Sequence, residues 1–143
     1  MKLRSRFAVL LAALWWGSLA TTGFLVVPML FATLDTPAVA GTMAAKLFTA
    51  QSWLAIACGL PLLLLAQTDA DVSAMDWAHG AAIFILGGML LALLSEFAIA
   101  PRIVARDSLK LWHAVGSGMY LLQWVCAATV LWKLIGLKSA GPS

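Results

Sequence analysis

The chain has 143 residues, 63% of them hydrophobic and 10% charged, with a formal net charge of +3 and a mean hydropathy of +0.97. A soluble domain carries about 25% charged residues and about half apolar ones. A water-soluble globule of this length has too little interior for so much apolar side chain, which excludes an ordinary soluble enzyme, a nucleic-acid-binding domain and a disordered chain. The composition points to an all-α, polytopic membrane protein whose first partner is the lipid bilayer. The positive balance sits at basic ends beside anionic lipid and calls for no nucleic acid.

Four apolar stretches predict four transmembrane helices, at about 7–32, 38–66, 74–100 and 109–136, in a single integral membrane domain of residues 1–143. The first carries no charge and follows Lys2, Arg4 and Arg6. That basic start, with Ser18-Leu19-Ala20, also fits a cleaved signal peptide. The apolar run continues well past Ala20, to Ala32, so it reads as a span, with cleavage the alternative. Thr36-Pro37 looks like a cap followed by a first-turn proline, which starts the second helix near Ala38. Ser73 and Asp76 have capping-box spacing ahead of the third helix, and Ser108 stands where it could cap the fourth. Each stretch reaches the ~20 residues that cross ~30 Å of hydrocarbon. The runs are continuous rather than alternating, which favours helices over a barrel. Short connections then pair the helices as two hairpins in an antiparallel bundle. Trp77, Trp112 and Trp132 fall where an interfacial belt belongs.

With an even number of spans both termini share a side, which then holds Lys2, Arg4, Arg6, Lys133 and Lys138 against Lys46, Arg102, Arg106 and Lys110. The count is nearly balanced. The basic residues before the first helix decide for cytoplasmic termini, in a bacterial inner membrane. Asp69, Asp71 and Asp76 then face the cytoplasm.

The few polar groups carry what functional signal there is, because a charge at the bilayer centre costs about 2.5–3.5 kcal/mol on insertion scales. Glu96 stands about 28 Å along the third helix from Trp77 by helical rise. It is either one member of an interfacial ion-pair cluster with Arg102, Arg106 and Lys110, or the charged group of a polar pocket. Gly80, Phe84, Gly88, Ala92 and Glu96 recur every four residues, a small-residue stripe where helices approach closely and one that carries Glu96 into the bundle. Such Gly/Ala faces also offer a route to oligomers. His113, Ser117, Tyr120 and Trp124 share one face of the fourth helix, and Ala13, Gly17 and Thr21 one face of the first. The candidate binding residues are therefore Glu96, Arg102, His113, Ser117 and Tyr120, with the first three converging at one end; an interfacial His113 bonded to a neighbour is the plainer alternative. His79 lies on the opposite side, more than ~20 Å away by helical rise, so the two imidazoles cannot share a metal ion. No His-x-x-His, Glu-x-x-His or CxxC spacing marks a metal site. Met29, Met43, Met89 and Met119 are chiefly packing residues that could also meet soft copper, and Cys58 and Cys126 read as buried inert thiols. No nucleophile elbow, phosphate-binding loop or paired carboxylates occur, so no catalytic residue is assigned.

Residues Phe24–Ala32 (FLVVPMLFA) align with Phe97–Ala105 (FAIAPRIVA), and Lys46–Ala50 (KLFTA) with Lys110–Ala114 (KLWHA). This reads as a duplicated hairpin, a parallel repeat about an axis along the membrane normal. Pro28 and Pro101 would then kink equivalent helices. Gly23, Met29 and Thr49 of the first half correspond to Glu96, Arg102 and His113 of the second, so the second half gained the ionisable set.

The segments Val27-Pro28-Met29-Leu30-Phe31, Ala40-Gly41, Lys46-Leu47-Phe48, Pro101-Arg102, His113 and Gly116-Ser117 resemble the transmembrane protein 205-like family, whose bacterial branch comprises short membrane proteins. The resemblance implies a four-helix membrane domain and the handling of metals or drugs. In those relatives an acid directly precedes the Pro-Arg pair; here Ala100 holds that place and Glu96 is displaced. The pattern is also distantly similar to CopD-like copper-resistance proteins and to protoporphyrinogen oxidases of the HemJ type, which would imply copper, haem or porphyrin as cofactor. Three readings follow: a non-enzymatic protein binding or passing a small solute, metal or porphyrin at one end of the bundle; a scaffold or assembly subunit without ligand; and a haem- or porphyrin-linked membrane oxidoreductase.

Overall fold

The structure, a computed structural model, describes residues 3–67, 72–105 and 108–139; the side chains of residues 67, 72–79, 104, 109 and 137–139 lie outside the description. It consists of four helices: α1 (Leu3–Thr33), α2 (Pro37–Gln67), α3 (residues 72–104) and α4 (Leu109–Ser139). No strand occurs among the described residues. Each helix holds a stretch long and apolar enough to cross a membrane. The helices extend a few residues past the apolar stretches at most ends, because backbone hydrogen bonding continues into the polar interface.

Local chemistry sets the ends. The Thr36 hydroxyl accepts the Val39 amide at 3.3 Å, and Pro37 is the first helical residue, where a missing N–H costs nothing. Ser108 adopts a left-handed φ of 42°. Its carbonyl, rather than its hydroxyl, receives the amides of Leu111 and Trp112 at 2.9 and 3.2 Å. The helical backbone of α3 begins at Val72, so Ser73 falls inside its first turn. The side chains of Ser73, Asp76, Trp77, His79 and Lys138 lie outside the described residues, as do Lys2, Asp69, Asp71 and Arg106 altogether.

Consecutive helices are neighbours, and α4 returns to pack on α1. The result is an antiparallel bundle of two hairpins. Its core is built from Ala12, Trp15 and Leu19 of α1, Ala55, Cys58 and Leu62 of α2, Ile85 and Ala92 of α3, and Ala127 and Val130 of α4. Three-and-four spacing lines these residues along one face of each helix. Trp15 reaches across the middle, where Gly88 of α3 makes room: a Cβ there would stand 2.7 Å from the indole ring. The large indole also sets the rotation of α1. The inward face is Ala8, Ala12, Trp15 and Leu19, whereas Thr21 of the expected Ala13/Gly17/Thr21 stripe is exposed and its other two members are half-buried. The outer surface is apolar, with Ile83 68% and Trp132 80% exposed, an arrangement suited to lipid and not to water.

Two features shape the other half of the molecule. Both α1 and α3 contain one widened π turn, at Thr22–Val26 and Ser95–Ile99. The Val27 amide bonds the Thr22 carbonyl and the Ala100 amide bonds the Ser95 carbonyl, five residues back in each case. Pro28 and Pro101 follow directly, two residues after each turn ends. A helical proline lacks an N–H and crowds the carbonyl four residues before it; an extra residue in the turn relieves that crowding and marks a kink. The two turns coincide in the Phe24/Phe97 alignment, so the correspondence between the halves extends from sequence to backbone.

Beyond these turns the bundle opens. No residue of Thr22–Thr33 is buried, and none of residues 110–122. The last part of α1 packs chiefly on α2, over the buried Ala40 and Ala44, and the last part of α3 chiefly on α4. The molecule is closed at one end and forked into its two hairpins at the other.

Candidate functional site

Interior polar side chains collect at the level where the hairpins part. On the α1–α2 side, the buried Gln51 amide donates to Ser18 Oγ at 3.0 Å and accepts from Thr22 Oγ1 at 3.4 Å. Ser18 in turn donates to the Trp15 carbonyl at 2.8 Å. Both ends of the Gln51 amide are thus satisfied by α1, as burial in lipid requires.

On the α1–α4 side stands Tyr120. Its hydroxyl donates to the Leu19 carbonyl at 2.8 Å. The ring lies against Gly23, where an added Cβ would stand 2.5 Å from a ring carbon. Phe48 of α2 meets it edge-on at 5.3 Å. Glycine is required here by close approach: the first widened turn is filled by a side chain from the opposite hairpin.

On the α2–α3 side stands Glu96, inside the second widened turn. It is half-buried, and its carboxylate accepts a hydrogen bond from Thr49 Oγ1 at 3.0 Å. Ser52, Trp53 and Ile56 of α2 and Leu93 and Phe97 of α3 surround it in a shallow crease too tight to admit a water molecule. Glu96 lies seven residues before Ile103, where the apolar span of α3 ends, about 10 Å deep by helical rise.

Of the five residues singled out from the sequence, Glu96 and Tyr120 occupy this layer, in separate interfaces. The other three lie toward the forked end on open faces. Arg102 is exposed; its guanidinium stacks over the Trp112 ring at 4.8 Å and donates to the Ala98 carbonyl. His113 and Ser117 are exposed on α4. The carboxylate's hydrogen-bond partner is therefore a threonine of the first hairpin, not the arginine one and a half turns further along its own helix. Thr49 and Gln51 were not singled out by sequence reasoning. The available signal was that an amide and a hydroxyl, two residues apart in an uncharged span, must point to different neighbours and find a partner on each.

Just below this layer, four buried donors have no acceptor among the described residues: the indole N–H groups of Trp15, Trp16 and Trp124 and the amide nitrogen of Gln123. Trp16 and Trp124 pack at 5.9 Å between ring centroids, with Phe24 edge-on to Trp124 at 5.7 Å. Cys58 and Cys126 are buried free thiols. Among the described residues no three His, Cys, Asp or Glu side chains group closely enough to hold a metal ion.

No curated protein and no solved structure matches the chain. A likeness to transmembrane protein 205-like or CopD-like proteins, and a role in metal or drug resistance, therefore gain no support from the comparisons. A family model does match, over residues 10–112, which takes in α1, α2, α3 and the entry into α4. The chain therefore belongs to the family described as Domain of unknown function (DUF4149).

Proposed function

We propose that this four-helix membrane domain binds a small solute at the polar layer where its hairpins part, with Glu96 as the charged group of the site. One observation carries the reading: a carboxylate sits inside an apolar span, held by a threonine of the neighbouring helix. A charge costs about 2.5–3.5 kcal/mol at the bilayer centre and less toward the interface, and an ionisable group within the span is on that ground a functional-site hypothesis. The unpartnered donors below it, at Gln123 and the three indoles, are further polar groups that a solute or water could satisfy. Arg102 and His113, toward the open rim, would meet the solute before it reaches the layer. A metal ligand set is not part of this reading, since the described donors do not cluster.

A hydrophobic carbodiimide, which adds to a protonated carboxyl group reached from lipid, tests the site in native membranes. Labelling should map to Glu96 and vanish in Glu96→Gln. Absence of labelling in a folded chain at acidic as well as neutral pH would mean that the carboxyl group is sealed off, as a scaffold subunit covered by its partner requires. A visible haem spectrum in the purified protein would favour the oxidoreductase reading instead.

A further inference from the structure

We infer that the tip of the second hairpin seats the headgroup of an anionic phospholipid, with the Arg102 guanidinium against its phosphate. The inference concerns a different surface from the layer around Glu96 and does not depend on that reading.

Charge selects the sign of the partner. From residue 100 to residue 114 the second hairpin carries Arg102, Arg106 and Lys110 against Asp107, a net charge of +2. The aligned stretch of the first hairpin, residues 27–50, carries Asp35 and Lys46, which cancel. Depth narrows the partner to a lipid. The apolar span of α3 ends at Ile103 and that of α4 begins at Lys110. Arg102 and Lys110, both exposed, therefore stand where hydrocarbon gives way to headgroups, and clustered basic residues at that level attract anionic lipid. Arg102 is also held in place. Its guanidinium lies over the half-buried Trp112 ring at 4.8 Å and donates to the Ala98 carbonyl. A guanidinium stacked in this way has little freedom left to lose, and its planar fork of five N–H donors matches the paired oxygens of a phosphate. Tryptophan itself favours the headgroup level. Ile103 and Leu111, next in sequence to Arg102 and Trp112, are half-buried and exposed respectively, and give acyl chains an apolar surface to lie against. A zwitterionic headgroup brings its own cation, which a basic tip repels. A soluble phosphate forgoes the contact with apolar side chains.

The test is native mass spectrometry of the full chain in a neutral detergent, titrated with phosphatidylglycerol and with phosphatidylcholine of the same acyl chains. The first phosphatidylglycerol should bind severalfold more tightly than phosphatidylcholine. Arg102→Gln should weaken that step about fivefold, the contribution of one basic residue near a membrane surface, and leave phosphatidylcholine binding unchanged. Arg102→Lys, which keeps the charge and loses the planar fork, should fall between the two. Arg6→Gln removes an equal charge from an exposed position at the closed end and should leave the first step as it is. Unchanged thermal unfolding shows that the variants are folded. Should Arg102→Gln fail to fold, Lys110→Gln, which leaves the Trp112 stack alone, decides the matter: a loss of twofold or more supports the site, and no loss overturns it. Equal affinity for the two lipids, or equal phosphatidylglycerol affinity of wild type and folded Arg102→Gln, would overturn the proposal. A loss in Arg6→Gln as large as that in Arg102→Gln would do the same, since binding would then follow net charge and not the tip. Glycerol phosphate at the concentration of the lipid should leave the lipid in place; displacement of the lipid would overturn the proposal in favour of a soluble phosphate.

Discussion

Gly23 and Glu96 occupy the same step of two equivalent widened turns, each six residues or fewer before a proline, yet the two turns have opposite fates. The first is plugged. Tyr120 crosses from α4, lays its ring on Gly23 and bonds the backbone of α1. The second is open. Its own residue at that step carries a carboxylate that reaches to Thr49 on α2. By the Lys46/Lys110 register the counterpart of Tyr120 is Ile56, too short to plug the turn and a wall of the crease instead. A widened turn ahead of a proline is thus covered by an aromatic ring in one hairpin and carries a carboxylate bonded to the neighbouring helix in the other. The contrast teaches that two turns of the same form and aligned sequence are used differently, one packed under a ring and one carrying an ionisable group.

The largest expected effect comes from disturbing the plug. Gly23→Ala places a methyl group where the Tyr120 ring lies, with 2.5 Å between carbon atoms. Overpacking costs about 1–3 kcal/mol, and the upper end is expected because the hydroxyl bond to Leu19 pins the ring. Thermal unfolding in detergent measures it. Combining the change with Tyr120→Ala should remove most of the extra penalty, since the two residues touch and their effects are coupled. Additive losses would show that the ring does not fill the turn.

Next in size is the open turn. Thr49→Val keeps the shape of the side chain and takes the hydroxyl from Glu96. Hydrogen bonds to charged groups contribute about 1.5–3 kcal/mol; about 2 kcal/mol of destabilisation is expected, with Thr49→Ser close to wild type. A stable Thr49→Val protein whose Glu96 labels with carbodiimide as before would mean that threonine neither holds nor orients the acid.

How much of this was legible beforehand follows from the same two positions. Length and hydropathy were enough to place four spans, because crossing lipid is a one-dimensional requirement. The Phe24/Phe97 alignment already aligned the two prolines and paired Gly23 with Glu96. What the sequence did not reveal was direction. Spacing of four residues tracks one face only while the helix stays regular, and a widened turn adds a residue and rotates everything after it by about 100°, one residue's share of a 3.6-residue turn. Glu96 lies inside such a turn, so its run of fours from Gly80 did not say which neighbour it meets. Arg102, beyond the turn, was expected beside Glu96 and instead stacks on Trp112. The exposure of His113 and Ser117 depends on the fork, a property of how two hairpins part, which no single helix encodes.

Tyr120→Phe is a gentler probe of the plug. The ring still fills the space over Gly23, and only the bond to the Leu19 carbonyl is lost. An ordinary hydrogen bond contributes about 1 kcal/mol net, so a loss of that order is expected, well short of the Gly23→Ala penalty. A larger loss would mean that the hydroxyl, not the ring, keeps the turn wide.

The smallest effect separates a plug from mere closeness. Gly59 of α2 has an overlap much like that of Gly23, since a Cβ there would stand 2.7 Å from the Met89 side chain. The neighbour, however, is an unbranched thioether with three rotatable bonds rather than a ring fixed at both ends. Met89 can swing away, and alanine is favoured over glycine in a helix by about 1 kcal/mol. The two terms nearly cancel, so Gly59→Ala should unfold within a degree or two of wild type. If it instead costs as much as Gly23→Ala, the penalty at Gly23 reports only tight helix packing, and the distinction between a filled turn and an open one loses its energetic basis.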